Sequence, residues 1–413
     1  MRTLYLCYFG LREPLVQTQV LPYLRGLSKE GIEVTLLTFE PNQQHAWSQK
    51  AAKAMRAQLK SEGIRWYSRP YHKRPRVLST FYDIIAGAWQ TARIAHRHGI
   101  EVVHARAHVP MAMALMIKRL AGCRLVFDIR GLMAEEYADA GTWKEGSAIF
   151  RLVKWIERAG IQRADQIVVL TNRMKAWLIR QGLAGEEKIE VIPCCVDFMR
   201  FNGQSGSRDA EVANARFEVI YAGAAAGLYL VDEMVRFFLV LRELKPDAFL
   251  RILTTTPRDQ VVARLKGEGV KEEDFSVGFV PAPDVPSYLR AARVGISFRK
   301  PTFSQIAASP TKIPEYLAAG IPVVCNFGVG DVDELLESAD VGIVVRSFDH
   351  QANLDAAREV LALTARPDIA ARCLEVATRR FDLERVGASG YARVYERIRK
   401  DLYPGESPVP VSS

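Results

Sequence analysis

Long apolar runs are missing from this sequence, and so are most of the short signatures that fix a cofactor or a nucleic acid. No stretch approaches the roughly 20 apolar residues that a membrane-spanning helix needs. Met1-Arg2-Thr3 leads straight into a strand-like run, so neither a leader peptide nor an anchor helix is expected and the cytoplasm is the expected compartment. Cysteine is sparse: Cys7, Cys123, Cys194, Cys195, Cys325 and Cys373 show no CxxC or Cys/His ligand spacing, which argues for reduced thiols and against zinc. No Asp-x-Asp follows a strand to hold a metal, so metal independence is expected. The absence of G-x-G-x-x-G argues against a dinucleotide fingerprint. No arginine-rich helix, zinc-finger spacing or ribonucleoprotein-type aromatic motif occurs, so nucleic acid is not an expected partner. No repeat recurs at a period of 20–50 residues.

What is present is an ordinary globular composition on a chain of 413 residues, long enough for two domains of roughly 200 residues each. The net charge of +9 suits an acidic ligand or an anionic membrane face, and also suits a merely solvated surface. Strand-like runs alternate with helix-periodic runs throughout. Thr3 to Phe9 ends at Gly10, Val16 to Lys29 has helical spacing, and Glu33 to Phe39 is a second strand, a βαβ start that puts the Gly10 loop at the C-terminal edge of a sheet. A basic helix over Ala46 to Lys60 and a basic loop with Arg69, His72, Lys73, Arg74 and Arg76 form a surface that anionic lipid could attract. The second half opens like the first, with a strand at Glu218 to Ala222, a small-residue loop from Gly223 to Gly227 and a helix from Leu230 to Leu244. Small residues let backbone amides approach a phosphate. The expected fold is therefore α/β, two doubly wound Rossmann-like domains facing a cleft.

One stretch carries most of the chemistry, Ser309-Pro310-Thr311-Lys312-Ile313-Pro314-Glu315-Tyr316-Leu317-Ala318-Ala319-Gly320-Ile321-Pro322-Val323-Val324. Ser309 or Thr311 suits an N-cap, Pro310 or Pro314 a first turn, Gly320 a helix end, and Ile321 to Val324 a buried strand. The helix start offers amides, hydroxyls and a lysine to an anion, and Glu315 can accept hydrogen bonds from sugar hydroxyls. A glutamate that only complements the helix dipole and a solvated lysine would fit the same letters.

This stretch resembles the donor-site signature of retaining GT-B glycosyltransferases of the family 4 kind. In that pattern Glu-x7-Glu runs into a small-residue helix and then Gly-x-Pro-Val-Val. Glu315 matches the second glutamate, and Gly320, Pro322, Val323 and Val324 match the tail; Ala307 stands where the first glutamate would be. Weaker echoes lie at Asp128-Ile129-Arg130-Gly131, at Ile192-Pro193-Cys194-Cys195-Val196-Asp197, and after the strand Val277 to Val280. The resemblance implies a UDP- or GDP-type nucleotide-sugar as co-substrate rather than a tightly bound cofactor, and a glycan or lipid-linked acceptor. It further implies a role in envelope or exported polysaccharide synthesis; peripheral contact at the inner membrane face is the expectation from the basic helix and loop above.

By the same resemblance Lys312, Glu315 and Arg130 are the catalytic candidates. Arg130 occupies the family's histidine position; an arginine keeps its proton, so it can neutralise phosphate or orient a hydroxyl but cannot act as an acid. Gly10, Gly223, Val280, Pro281, Arg299, Ser309, Pro310 and Thr311 are the donor-binding candidates. Glu135 and Glu136 are acceptor-side candidates. Apart from the resemblance, His108 in the loop after a strand could reach the cleft, or be a structural or solvated histidine. The implied organisation is an acceptor-side domain over 1–200, a linker over 201–216 and a donor domain over 217–382. A helix over 383–402 would then return to the first domain, followed by a disordered tail over 403–413. Three alternatives remain: a nucleotide-sugar epimerase, a non-catalytic nucleotide-sugar-binding protein, and an NAD-dependent oxidoreductase.

Overall fold

The computed structural model describes residues 1–41, 47–72, 76–201 and 216–404. Lys73, Arg74, nearly all of the expected linker and most of the expected tail lie outside the described residues. The chain divides into two compact units. Unit 1 comprises Met1–Ala138, Trp143–Pro193 and the described residues from Leu383 onward; unit 2 comprises Asp139–Thr142 and Cys194–Asp382.

Unit 1 is built on a wholly parallel seven-stranded sheet of β1 (Arg2–Cys7), β2 (Glu33–Pro41), β3 (Ile64–Tyr71), β4 (Val102–Arg106), β5 (Arg124–Asp128), β6 (Gln166–Val169) and β7 (Ile189–Val191), in the order β3-β2-β1-β4-β5-β6-β7. The central strands are buried on both faces because helices cover both sides. Unit 2 has a parallel six-stranded sheet of β8 (Phe217–Ala222), β9 (Ala248–Leu253), β10 (Phe275–Gly278), β11 (Val294–Ser297), β12 (Val323–Asn326) and β13 (Gly342–Val345), ordered β10-β9-β8-β11-β12-β13. Strand alternation splits its core in two. Val219, Tyr221 and Val324 face a cluster with the helices Val231–Leu244 and His350–Thr364, whereas Ile220, Val323 and Cys325 face one with Lys312–Ala318 and Ile369–Phe381. Both sheets reverse direction beside their first strand, at β1/β4 and at β8/β11, the places where doubly wound sheets bind ligands.

Several sequence expectations need correction. The helix expected over 16–29 is two helices, Pro14–Gln19 and Leu21–Lys29, broken at Val20, where Pro22 begins a new first turn. The strand expected over 64–67 runs on to Tyr71 as an edge strand that tolerates Pro70, so Arg69 of the expected basic loop lies in β3, and Arg76 begins a helix. The last helix begins with a π-helical turn, Leu383–Ala388, before Ser389–Leu402.

In unit 2 the seven-residue helix Lys312–Ala318 is held against the sheet by Tyr316, which is fully buried and whose hydroxyl accepts the Ala222 N–H at 2.9 Å. Gly295 of β11 makes room for that ring, since a Cβ there would lie 2.3 Å from Tyr316 Cδ2. Gly295→Ala is expected to cost roughly 1–3 kcal/mol through overpacking, read as a lowered midpoint in thermal or urea unfolding. Gly320 ends the helix at φ +76°, a backbone that favours glycine.

Candidate functional site

The β8/β11 reversal in unit 2 collects cations on aromatic faces. Gly223 follows β8 with φ +149°, and a Cβ there would sit 3.0 Å from Lys312 Nζ, so both backbone and space call for glycine. Arg299 follows β11 and bridges to Tyr229 in an antiparallel β-bridge. Its Nη1 donates to the Tyr229 hydroxyl at 3.0 Å, and its Nε donates to Gln305 Oε1 at 2.6 Å. Lys312 Nζ lies 3.6 Å from the Tyr229 ring centroid and 5.0 Å from that of Tyr221.

Lys312 is only 4% exposed. It forms no ion pair among the described residues, and burial pulls its pKa down from the ordinary lysine value against the opposing pull of Tyr229. Burial alone would raise the Tyr229 phenol, but the charges of Lys312 and Arg299 outweigh it and bring the pKa down to about 8.

These contacts correct the expected picture of the helix start. Thr311 occupies the N-cap position without a side-chain capping bond, and Ser309 Oγ instead accepts the Cys194 N–H at 3.1 Å. Pro310, Lys312, Ile313 and Pro314 are buried, and the Ile313 N–H is taken by the Pro310 carbonyl at 3.1 Å. The lysine stem packs inward because its long apolar chain gains more against the tyrosines than in water. Charge in this turn is therefore concentrated on the Lys312–Arg299 pair, not on open amides flanked by hydroxyls. Ala307, in the expected first-glutamate position, is buried.

A second group forms around Glu315. Arg200 Nη1 donates to Glu315 Oε1 at 3.0 Å, and its Nη2 donates to the Ala282 carbonyl at 3.2 Å. The guanidinium thus ties Glu315 to the loop of half-buried Val280 and exposed Pro281 that follows β10. Sequence reasoning missed Arg200. Its only local sign is Asp197, which accepts the Met199 N–H at 2.9 Å and starts a turn Phe198–Arg200.

Arg130 and Gly10 belong to unit 1. Arg130 Nη1 lies 3.4 Å from Asp128 Oδ1. Asp128, fully buried at the end of β5, also accepts from the Tyr391 hydroxyl at 2.9 Å and pairs with Arg106 at 3.3 Å. Burial would raise the Asp128 pKa, but Arg130, His104 and Arg106 hold it far below the usual carboxylate range. Gly10 lies in a buried turn where a Cβ would meet Pro41 Cδ at 2.9 Å, so packing alone accounts for it. His108 is buried on Glu157 at 3.0 Å, and Lys154 bridges Glu157 to Glu135, at 2.6 Å from the latter. All six cysteines are buried. Among the described residues no three His, Cys, Asp or Glu side chains converge as a metal site would need.

Residues 16–200 match the Glycosyltransferase Family 4 profile, and residues 218–363 match that of Glycosyl transferases group 1. No curated protein matches the sequence. Among solved structures, sucrose-phosphate synthase from Thermosynechococcus elongatus is similar with a TM-score of 0.72 at 15% identity, over 97% of this chain and 100% of that one. Anabaena HepE in complex with UDP is similar at 0.68 and 16% identity, over 96% and 100%. A putative UDP-N-acetylglucosamine 2-epimerase from Listeria monocytogenes is similar at 0.64 and 13% identity, over 100% and 99%. At such identities these likenesses speak for the fold.

Proposed function

We propose, from the premise that this chain belongs to the GT-B glycosyltransferases as a Family 4 domain followed by a group 1 domain, that it transfers a sugar from a nucleoside-diphosphate donor to an acceptor hydroxyl with retention and without a metal. One observation carries this. At the sheet reversal of unit 2, a buried ammonium and a guanidinium share Tyr229 beside a glycine loop, with no carboxylate paired to the ammonium among the described residues. Two cations so placed can take up the charge that develops on a departing diphosphate, preorganised and partly desolvated.

The bond between the anomeric carbon and the phosphate oxygen breaks while the acceptor oxygen bonds to that carbon. The acceptor proton passes to a diphosphate oxygen, since Ala307 offers no carboxylate to take it. Glu315, oriented by Arg200, would accept a ribose hydroxyl, with Val280 and Pro281 beside the base. By family resemblance the acceptor would be a glycan or lipid-linked sugar of an envelope or exported polysaccharide. HepE, crystallised with UDP, supports a uridine donor.

A thermal-shift screen over UDP-, GDP-, ADP- and CMP-sugars, with and without EDTA, tests the donor. NMR of the product's anomeric configuration tests retention. Stabilisation by none of the four, or stabilisation abolished by EDTA, would overturn the corresponding claim. Epimerisation of the donor is the second reading, favoured by the Listeria neighbour; it would appear as sugar isomerisation with no acceptor present.

The Tyr229 phenol sets a pH dependence. A bound diphosphate favours the protonated phenol, so UDP affinity is expected to fall as pH rises through about 8. Loss of the Lys312 proton acts in the same direction. Tyr229→Phe should flatten the part of the profile near pH 8 in titration calorimetry.

A further inference from the structure

Three helices of unit 1, Arg76–His98, His108–Ala121 and Ala148–Arg163, lie side by side over one face of the sheet. Their connections, β3 to β4, β4 to β5 and β5 to β6, all step in the same direction across it, which for right-handed crossovers puts them on the same side. The outer surface of this layer is unusual. On the first helix Leu78, Phe81, Ile85 and Trp89 recur every three or four residues on the solvent side, with Leu78 69% and Trp89 61% exposed. The stripe runs about 17 Å along the helix at 1.5 Å per residue. Trp155, 60% exposed, and Leu152 continue the apolar surface on the third helix, and Met116 does so on the second.

The charge that these three helices themselves expose has one sign. The only carboxylates on the three helices are Asp83 and Glu157, both buried and engaged, Asp83 with His72 at 2.6 Å and Glu157 with His108. Arg93, Arg97, Arg151, Arg158 and Arg163 are all exposed. The apolar stripe of the first helix passes directly into Arg93 and Arg97 at the same four-residue step, and the Arg93 guanidinium lies 5.5 Å from the Trp89 ring centroid. Apolar side chains with interfacial tryptophans, edged by arginines and free of exposed carboxylates, match an anionic bilayer surface. A second copy meeting the same face would set arginine against arginine. The basic helix Gln49–Ser61, on which the sequence placed membrane contact, exposes no large apolar side chain.

We propose that the outer face of these three helices docks on anionic lipid, with Leu78, Phe81, Trp89 and Trp155 entering the headgroup boundary and the arginines pairing with lipid phosphates. The test needs neither donor nor turnover, so it stands apart from the glycosyl-transfer assignment. Full-length protein is sedimented with vesicles of pure phosphatidylcholine or of phosphatidylcholine and phosphatidylglycerol mixed, in low and high salt. Binding is expected to the anionic vesicles alone and to weaken with salt. Arg151→Glu with Arg158→Glu should lower it at least about tenfold. Brominated lipid should quench tryptophan emission, and Trp89→Ala with Trp155→Ala should remove that quenching while circular dichroism stays unchanged. Absence of binding to anionic vesicles, or quenching that survives loss of both tryptophans, would overturn the proposal. So would a concentration-dependent dimer that the tryptophan variant dissolves in the absence of lipid.

Discussion

Lys312→Met is expected to weaken binding of a nucleoside diphosphate by about 1.5–3 kcal/mol, roughly 10- to 150-fold, while leaving affinity for the free nucleoside nearly unchanged. The two effects separate because the ammonium lies against Tyr229 and the Gly223 turn, whereas Glu315 is tied by Arg200 to the loop after β10. Stability should move the other way. In the ligand-free protein this ammonium is desolvated and unpaired among the described residues, so a methionine of similar length that fits the tyrosine cradle should leave the unfolding midpoint unchanged or raise it. Calorimetry with UDP and uridine, beside a thermal melt, reads both. Equal losses for the two ligands would remove the phosphate assignment from Lys312. A lowered melting point with unchanged UDP affinity would make the lysine a packing residue.

The second large effect is expected at Asp128. Its carboxylate accepts from Tyr391, lies within 3.4 Å of the Tyr5 hydroxyl, and pairs with Arg106 and Arg130. Asp128→Ala leaves the Arg106 guanidinium, 3% exposed, without its carboxylate, a change that costs about 3–5 kcal/mol. For a unit of this size that corresponds to a midpoint lowered by roughly 6–20 °C. Tyr391→Phe, which removes one hydrogen bond to the charged group, should cost less, about 1.5–3 kcal/mol. The folded pKa of Asp128 lies below the unfolded one, so its contribution is complete above the ordinary carboxylate pKa and is lost as pH falls below it. The difference in stability between wild type and Asp128→Ala should therefore shrink in acid. A difference that stays constant down to pH 2 would show that the carboxylate is not ionised in the fold.

How much of this could be read in the letters depended on how local each feature is. The alternation of apolar strands and periodic helices, the Gly320 helix end and the Gly223 turn are local, and they were legible. The partners of Lys312 and Glu315 were not. Tyr229 meets Lys312 only because β8 and β11 are neighbours in the sheet, and Arg200 reaches Glu315 from a turn at the far end of unit 2's sequence. Pairings of that range leave no periodic trace. The burial of Lys312 was hidden for the same reason, since a lysine at a helix start ordinarily points to water. Gly10 illustrates the converse: a glycine after a strand fits a ligand loop or a plain turn, and the packing of Glu40 and Pro41 against it could not be read from the letters.

The placement of Tyr391 and Tyr395 has a consequence for how the polypeptide matures on the ribosome. Tyr395 bonds to Thr3 at 2.8 Å and to His104 at 3.0 Å, and Tyr391 to Asp128, so β1, β4 and β5 are completed by side chains translated last among their partners. At synthesis rates of about 5–20 residues per second, the nascent β-sheet waits on the order of ten seconds or more for them. During that interval Asp128 and His104 lack these tyrosine hydroxyls. A ribosome stalled after residue 382 should therefore present a protease-sensitive first half, which becomes resistant once translation runs past residue 402.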